Sequence, residues 1–179
     1  MTEFRKISVI GLGLIASSIC RTIRKKDPGI QIVGYDKDKE VRNRAKKIGL
    51  CEIESNIENA ASGSNLVILC VPVGQMQAVI LKLKKFIKPG TTITDVGSVK
   101  LSVIEELESD IENAKGKFVP SHPIAGTERS GPEAGYAGLF EGRWCILTPT
   151  KKTNKKALKS VETFWKFLGM QTKIMTPEH

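Results

Sequence analysis

The sequence predicts an α/β fold: a doubly wound, mostly parallel sheet with helices on both faces. Three observations predict it. Short apolar runs at residues 6–10, 31–35, 65–70 and 91–94 alternate with amphipathic stretches of helical period. The first run passes directly through a pair of glycines into a helical pattern. NLVILC, residues 65–70, is apolar almost throughout, as a strand covered on both faces should be.

Each element has its own signal. Residues 6–10 read as a buried strand, and Ile15, Ile19 and Ile23 mark the helix that follows and stops near Asp27-Pro28-Gly29. Residues 31–35 form the second strand. Asp38 then caps a charged outer helix, 39–47, that closes at Gly49. After the strand 65–70, Val71-Pro72-Val73 blocks strand continuation, and 75–86 is an amphipathic crossover helix ended by Lys88-Pro89-Gly90. Residues 91–94 are a fourth strand leading into DVGSVK, with a helix from Val99 to about Ile111 and Ser98 as its N-cap. A fifth strand, 117–120, delivers His122. Residues 143–147 form a sixth strand that presents Trp144 as a packed or lid aromatic, and a helix starting at Thr153 or Asn154 ends at Gly169 before a last strand, 171–175.

Composition bounds the function. A chain of 179 residues suits one domain with one sizeable core. The net charge of +9 admits an acidic small molecule as partner. Nucleic acid is not expected, because the lysine clusters at 82–88 and 151–159, with Phe86 the one aromatic among them, offer no series of stacking platforms and read as solvated helix faces. Cys20, Cys51, Cys70 and Cys145 form no metal-ligand spacing, so reduced thiols, no metal and a cytoplasmic location are expected. The apolar N-terminal run before Cys20 has Ile19 where a lipoprotein cleavage site wants a small residue, and no run is long enough to span a membrane.

The chemistry gathers at strand ends. GLGLIA, residues 11–16, is a GxGxxA turn between strand and helix. Gly11 permits the tight turn, Gly13 lets backbone approach a pyrophosphate, Leu14 and Ile15 open the helix N-terminus toward the anion, and Ala16 packs closely. Asp36 closes the second strand at roughly the 20-residue distance expected of the carboxylate that binds a ribose 2′-hydroxyl. That carboxylate favours NAD over NADP, although Lys37 and Lys39 stand close by. Val71 and Pro72 lie where the cofactor's sugar and phosphate would pass. Ser98 and His122 reach the same rim, His122 as a base near neutrality, and residues 121–145, rich in glycine and free of helical period, read as a functional loop.

GLGLIASS, GYD, CVPV, DVGSVK, HPIAGTERSG and GLFEGRWCILTP together resemble the cofactor domain of the prephenate dehydrogenase family, over residues 6–179. The resemblance implies a Rossmann-type domain and NAD-dependent oxidative decarboxylation of prephenate, or of its amino analogue arogenate, on the route to tyrosine. It implies that His122 accepts the substrate hydroxyl's hydrogen bond, that Ser98 orients substrate and cofactor, and that Thr127 and Glu128 shape the substrate pocket. It also implies a helical C-terminal domain beyond residue 179 that makes a homodimer and supplies an arginine for a substrate carboxylate. In the crevice loops of this chain, only Lys100, Arg129 and Arg143 are cations for a dicarboxylate. A short-chain β-hydroxyacid dehydrogenase shares the glycine turn but has no use for HPIAGTE. A non-catalytic nucleotide-binding module is the alternative from another class.

Overall fold

The computed structural model describes residues 1–179. Six parallel strands form the main sheet: β1 (Lys6–Ile10), β2 (Gln31–Tyr35), β3 (Glu52–Ile53), β4 (Leu66–Leu69), β5 (Thr92–Asp95) and β6 (Lys117–Val119), in the order β3-β2-β1-β4-β5-β6. The chain winds outward from β1 to β3, returns to β4 and winds outward the other way. The strand order therefore reverses between β1 and β4, and a crevice opens there at the carboxyl edge.

Both faces of the sheet are buried, and the strand sequences show why. In β4, Leu66 and Ile68 point into one apolar cluster while Val67 and Leu69 point into the other. A period of two with apolar residues at every position is the mark of a central parallel strand. Helices α1 (Leu14–Lys26) and α6 (Lys155–Phe167) cover the first face, and α4 (Val73–Leu83) and α5 (Lys100–Asn113) cover the second. The outer helix α2 (Lys39–Lys47) begins where Asp38 accepts the amide of Glu40. Arg24, Lys25 and Lys26 in the last turn of α1 complement the helix dipole. No helix is long and apolar enough to cross a membrane.

Several expectations are corrected. β3 and the five-residue helix α3 (Ile57–Ala61) were not anticipated from the sequence. The expected helix at 75–86 runs instead from Val73 to Leu83, with Pro72 as its N-cap. The helix expected from Val99 starts at Lys100. Its N-cap is Val99, which makes no side-chain cap bond, so Ser98 lies one residue outside and caps nothing.

The largest difference lies after β6, which ends at Val119. Pro120 has no amide to continue the ladder, and Ser121–Pro123 form β7 in a separate three-stranded sheet. There β7 pairs antiparallel with β8 (Trp144–Leu147), which pairs in parallel with β9 (Gln171–Ile174). His122 is thus held by a second small sheet and not by the end of the expected strand 117–120, which is β6. Trp144 on β8 is 44% exposed, outside the packed core. The core tryptophan is Trp165, edge-on to Phe164 and Phe140 with ring centroids 5.4 and 5.9 Å away.

Candidate functional site

The turn after β1 is shaped by backbone approach. Gly11 has φ +94°, and a Cβ there would lie 2.7 Å from the carbonyl oxygen of Cys70. Any side chain would push β4 off β1. Gly13 differs: its φ is −92°, and a Cβ would meet nothing within 4 Å. Its hydrogen faces open space at the N-terminus of α1. No side chain caps that helix and its first turn holds no acid, so the amides at Leu14 and Ile15 have no carboxylate competing for them. Free amides, a positive dipole end and a bare backbone suit a phosphate group.

At the end of β2, Asp36 is half-buried. Its Oδ2 accepts the amide of Leu12 at 2.9 Å, and its Oδ1 accepts the amide of Asp38 at 2.9 Å. Each carboxylate oxygen keeps a further acceptor site, enough for a ribose diol. Arg42 donates to the carbonyls of Asp36 and Lys37 at 2.8 and 3.2 Å and lies over the Tyr35 ring. Its guanidinium is engaged with the protein.

Between these strand ends lies a cavity of about 430 Å³. Ile15 reaches it from α1, Cys70 to Val73 from the end of β4, and Val96 to Ser98 from the end of β5. His122, Pro123 and Ala125 close the far side. A larger hollow, about 550 Å³, opens at the opposite edge, where the strands begin. Size does not locate the site; Ile15, just after the glycine turn, and the only internal histidine share the smaller cavity.

Of the residues expected at the site, Ile15, Val71, Pro72, Ser98 and His122 line this cavity. Gly11, Gly13, Leu14 and Asp36 form the adjoining turn. Thr127 and Glu128 do not line it: both are exposed, and Thr127 Oγ1 accepts the amide of Arg129 at 3.1 Å. The long loop is also divided. Its first residues reach the cavity, whereas its later part lies along α1. There Ser17 Oγ donates to the carbonyl of Pro132 at 2.5 Å, Ser18 Oγ accepts the amide of Tyr136 at 3.2 Å, and Thr22 Oγ1 donates to the carbonyl of Ala137 at 3.1 Å. Gly135 is required, since a Cβ would lie 2.4 Å from Ser17 Oγ.

A buried polar cluster beneath His122 escaped the sequence reading. Asp95 is wholly buried and paired with Lys100, which also donates to the carbonyl of Ser121 at 2.8 Å. Asp95 further accepts the amides of Gly97 at 2.9 Å and Ser121 at 3.1 Å. Ser121 Oγ donates to the carbonyl of Asp95 at 2.7 Å and accepts Trp165 Nε1 at 3.2 Å. The cluster joins β5, α5, β7 and α6 at one point. Burial raises the Asp95 pKa and lowers that of Lys100, each opposed by its partner. Lys100 is therefore not a free cation at the crevice.

His122 is half-buried. Burial and then the charge of Lys100 lower its pKa from 6.5, with Asp95 opposing. It is neutral at pH 7, able to accept a proton. Burial pushes the thiols of Cys70 and Cys145 well up, so neither is a nucleophile here.

The family model described as "Prephenate dehydrogenase, nucleotide-binding domain" matches residues 19–174. The chain belongs to the prephenate dehydrogenase family. It is 40% identical to the cyclohexadienyl dehydrogenase of Zymomonas mobilis over 100% of this chain and 61% of that protein. It is 34% identical to the prephenate dehydrogenase of Lactococcus lactis over 94% of this chain and 47% of that protein. Among solved structures it resembles prephenate dehydrogenase from A. aeolicus in complex with hydroxyphenyl propionate and NAD+, with TM-score 0.87 and 36% identity over 97% of this chain and 60% of that one. This chain spans 61% or less of these family relatives' length.

Proposed function

We propose that this chain is the NAD-binding part, residues 1–179, of an enzyme that converts prephenate to 4-hydroxyphenylpyruvate in tyrosine biosynthesis. The observation that carries the reading is one cavity bounded by Ile15, in the first turn of α1 just after the glycine turn, and by Ser98 and His122. In the proposed arrangement the amides of Leu14 and Ile15 hold the pyrophosphate, Asp36 the ribose diol, and Val71 and Pro72 the wall beside the sugar. When bound, the nicotinamide accepts a hydride from the ring carbon that carries the substrate hydroxyl.

His122 then acts as the base. Its neutral ring takes the hydroxyl proton as the C–H electron pair leaves, and Ser98 orients the hydroxyl. Breaking the bond to the ring carboxylate releases carbon dioxide and sends its electron pair through the ring to the new carbonyl oxygen. The proton held on His122 returns to that oxygen, and the ring becomes aromatic. Proton transfer of this kind is typically worth about 10²- to 10⁴-fold in rate.

The substrate's two carboxylates need cations. Lys100 is committed to Asp95, and neither Arg129 nor Arg143 lines the cavity. We place those contacts, and a homodimer interface, in a helical C-terminal domain corresponding to the part of the relatives this chain does not span. A cytoplasmic setting fits the four free thiols. Arogenate is the second candidate substrate, favoured by the solved arogenate dehydrogenase from Synechocystis, 26% identical with TM-score 0.84.

Parallel calorimetric titrations with NAD and NADP, followed by prephenate on the NAD complex, test this reading. NAD binding tighter than NADP is expected, with weak or absent prephenate binding by these 179 residues. Failure of both nucleotides to bind would overturn it.

A further inference from the structure

The hollow of about 550 Å³ at the opposite edge lies where β1, β4, β5 and β6 begin, roofed by the N-terminal segment and α6. Most of its lining residues are polar or charged, with Phe4, Pro89 and Ala157 the main apolar ones. Its charge is one-sided. Lys88, Lys117, Lys156 and Arg5 line it against a single carboxylate, Glu3. Arg5 is neutralised by Asp27 at 2.7 Å, and Glu3 already accepts a hydrogen bond from Ser160. None of the ion pairs in the protein involves Lys88, Lys117 or Lys156. These three lysines come from separate elements, the turn after α4, the start of β6 and the first turn of α6, so no single helix face accounts for their presence around one hollow.

A second feature points the same way. Thr92 is only 6% exposed and lines the hollow, yet its hydroxyl has no hydrogen-bond partner in the protein; neighbouring Thr91 reaches the carbonyl of Ser64. Unlike Thr148 Oγ1, the one sealed hydroxyl without a partner, Thr92 Oγ1 is open to solvent at the wall of the hollow and free to donate to a ligand. From the three unpaired lysines and this hydroxyl we infer a second ligand site, remote from the cofactor crevice, for a compact multivalent oxyanion such as phosphate. The ligand's negative charge would offset the mutual repulsion of Lys88, Lys117 and Lys156, and Thr92 Oγ1 would donate to one of its oxygens. The inference does not depend on the dehydrogenase reading.

The test is a titration of the 179-residue chain, labelled with ¹⁵N, with inorganic phosphate at constant ionic strength, read by amide shifts and repeated with chloride. Saturable shifts at Asn65, Thr92 and Lys117 with phosphate alone are expected. Lys88→Gln with Lys117→Gln should weaken binding by about tenfold or more, since each removes a charge-assisted hydrogen bond. Thr92→Val should weaken it less and leave the charge unchanged. If the double variant does not fold, Lys156→Gln, on an exposed helix position, gives the same reading. Shifts confined to Gly11–Ile15, shifts shared by phosphate and chloride, or affinity unchanged in the lysine variants would each overturn the site.

Discussion

Oδ2 of Asp36 accepts the amide of Leu12 at 2.9 Å, so the acid at the end of β2 holds the glycine turn as well as facing the crevice. In the proposed arrangement its charge bears on cofactor choice, and its hydrogen bond to Leu12 bears on the turn. The two roles come apart in variants. Asp36→Asn keeps an acceptor for Leu12 and removes the charge, so NAD should weaken by about tenfold while NADP changes little, narrowing the preference. Asp36→Ala should also lower the unfolding midpoint. Calorimetry with both nucleotides and urea unfolding check both effects; an unchanged NAD to NADP ratio in Asp36→Asn would refute the first.

The two glycines of the turn should respond differently to alanine. Gly11→Ala meets the carbonyl of Cys70 and an unfavourable φ of +94°, and should cost about 2 kcal/mol or more of stability. Gly13→Ala has room and an ordinary φ, so stability should hold while NAD affinity falls, because the methyl group occupies the ligand's approach. Equal losses of stability would contradict the geometry.

His122→Asn should lower turnover by about 10²- to 10⁴-fold, with NAD affinity nearly unchanged. The assay is NADH absorbance in a form of the enzyme that turns over prephenate. Because burial and Lys100 depress its pKa, the wild-type rate should rise with pH through a midpoint below 6.5 and then level off. Parallel loss of rate and cofactor affinity would argue against a base.

The same shift carries a stability consequence. The folded-state pKa of His122 lies below the unfolded value of 6.5, so as pH falls through that region the unfolded chain takes up a proton first. Stability drops accordingly. Urea unfolding should show a shallower fall from pH 7 to pH 5 in His122→Asn than in wild type. Asp95 and Lys100, whose charges act on the ring, and Cys145, which meets the His122 backbone, are present in both proteins.

Lys100→Met leaves the wholly buried Asp95 without its cation and should destabilise the fold by about 3–5 kcal/mol. Lys100→Met with Asp95→Asn should recover much of that loss. Equal instability of the single and double variants, measured by urea unfolding, would show that the pair is not the cause.

Five strands of the main sheet were legible in the sequence because each is a short run rich in apolar or β-branched residues, β4 apolar throughout, and the helices between them carry clear periods. β3 and α3 were not, being two and five residues long. The one available signal was Asn56, which caps α3 by accepting the amide of Asn59 at 2.9 Å. In the second sheet the strands expected at 143–147 and 171–175 were legible and are β8 and β9, but its third strand was not: Ser121–Pro123 have no pattern of their own, and their pairing with Trp144–Leu147 is decided by long-range contact. Asp95 and Lys100 were visible as residues of DVGSVK, but burial is what makes them a pair, and spacing does not encode burial. The loop after His122 was recognisable as irregular, and Ser17 and Ser18 gave no sign that they hold its far part.

The tethering of that loop has a consequence for redesign. Ser17, Ser18 and Thr22 fasten residues 132–137 to the helix whose first turn faces the crevice, and the same loop leads back to His122. Helix α1 and the segment that carries His122 are therefore joined through one tethered loop. Substitutions in α1 meant to exchange one nucleotide for another will move the histidine too, so altered cofactor preference and lost turnover should arrive together unless Gly135 and its hydroxyl anchors are kept.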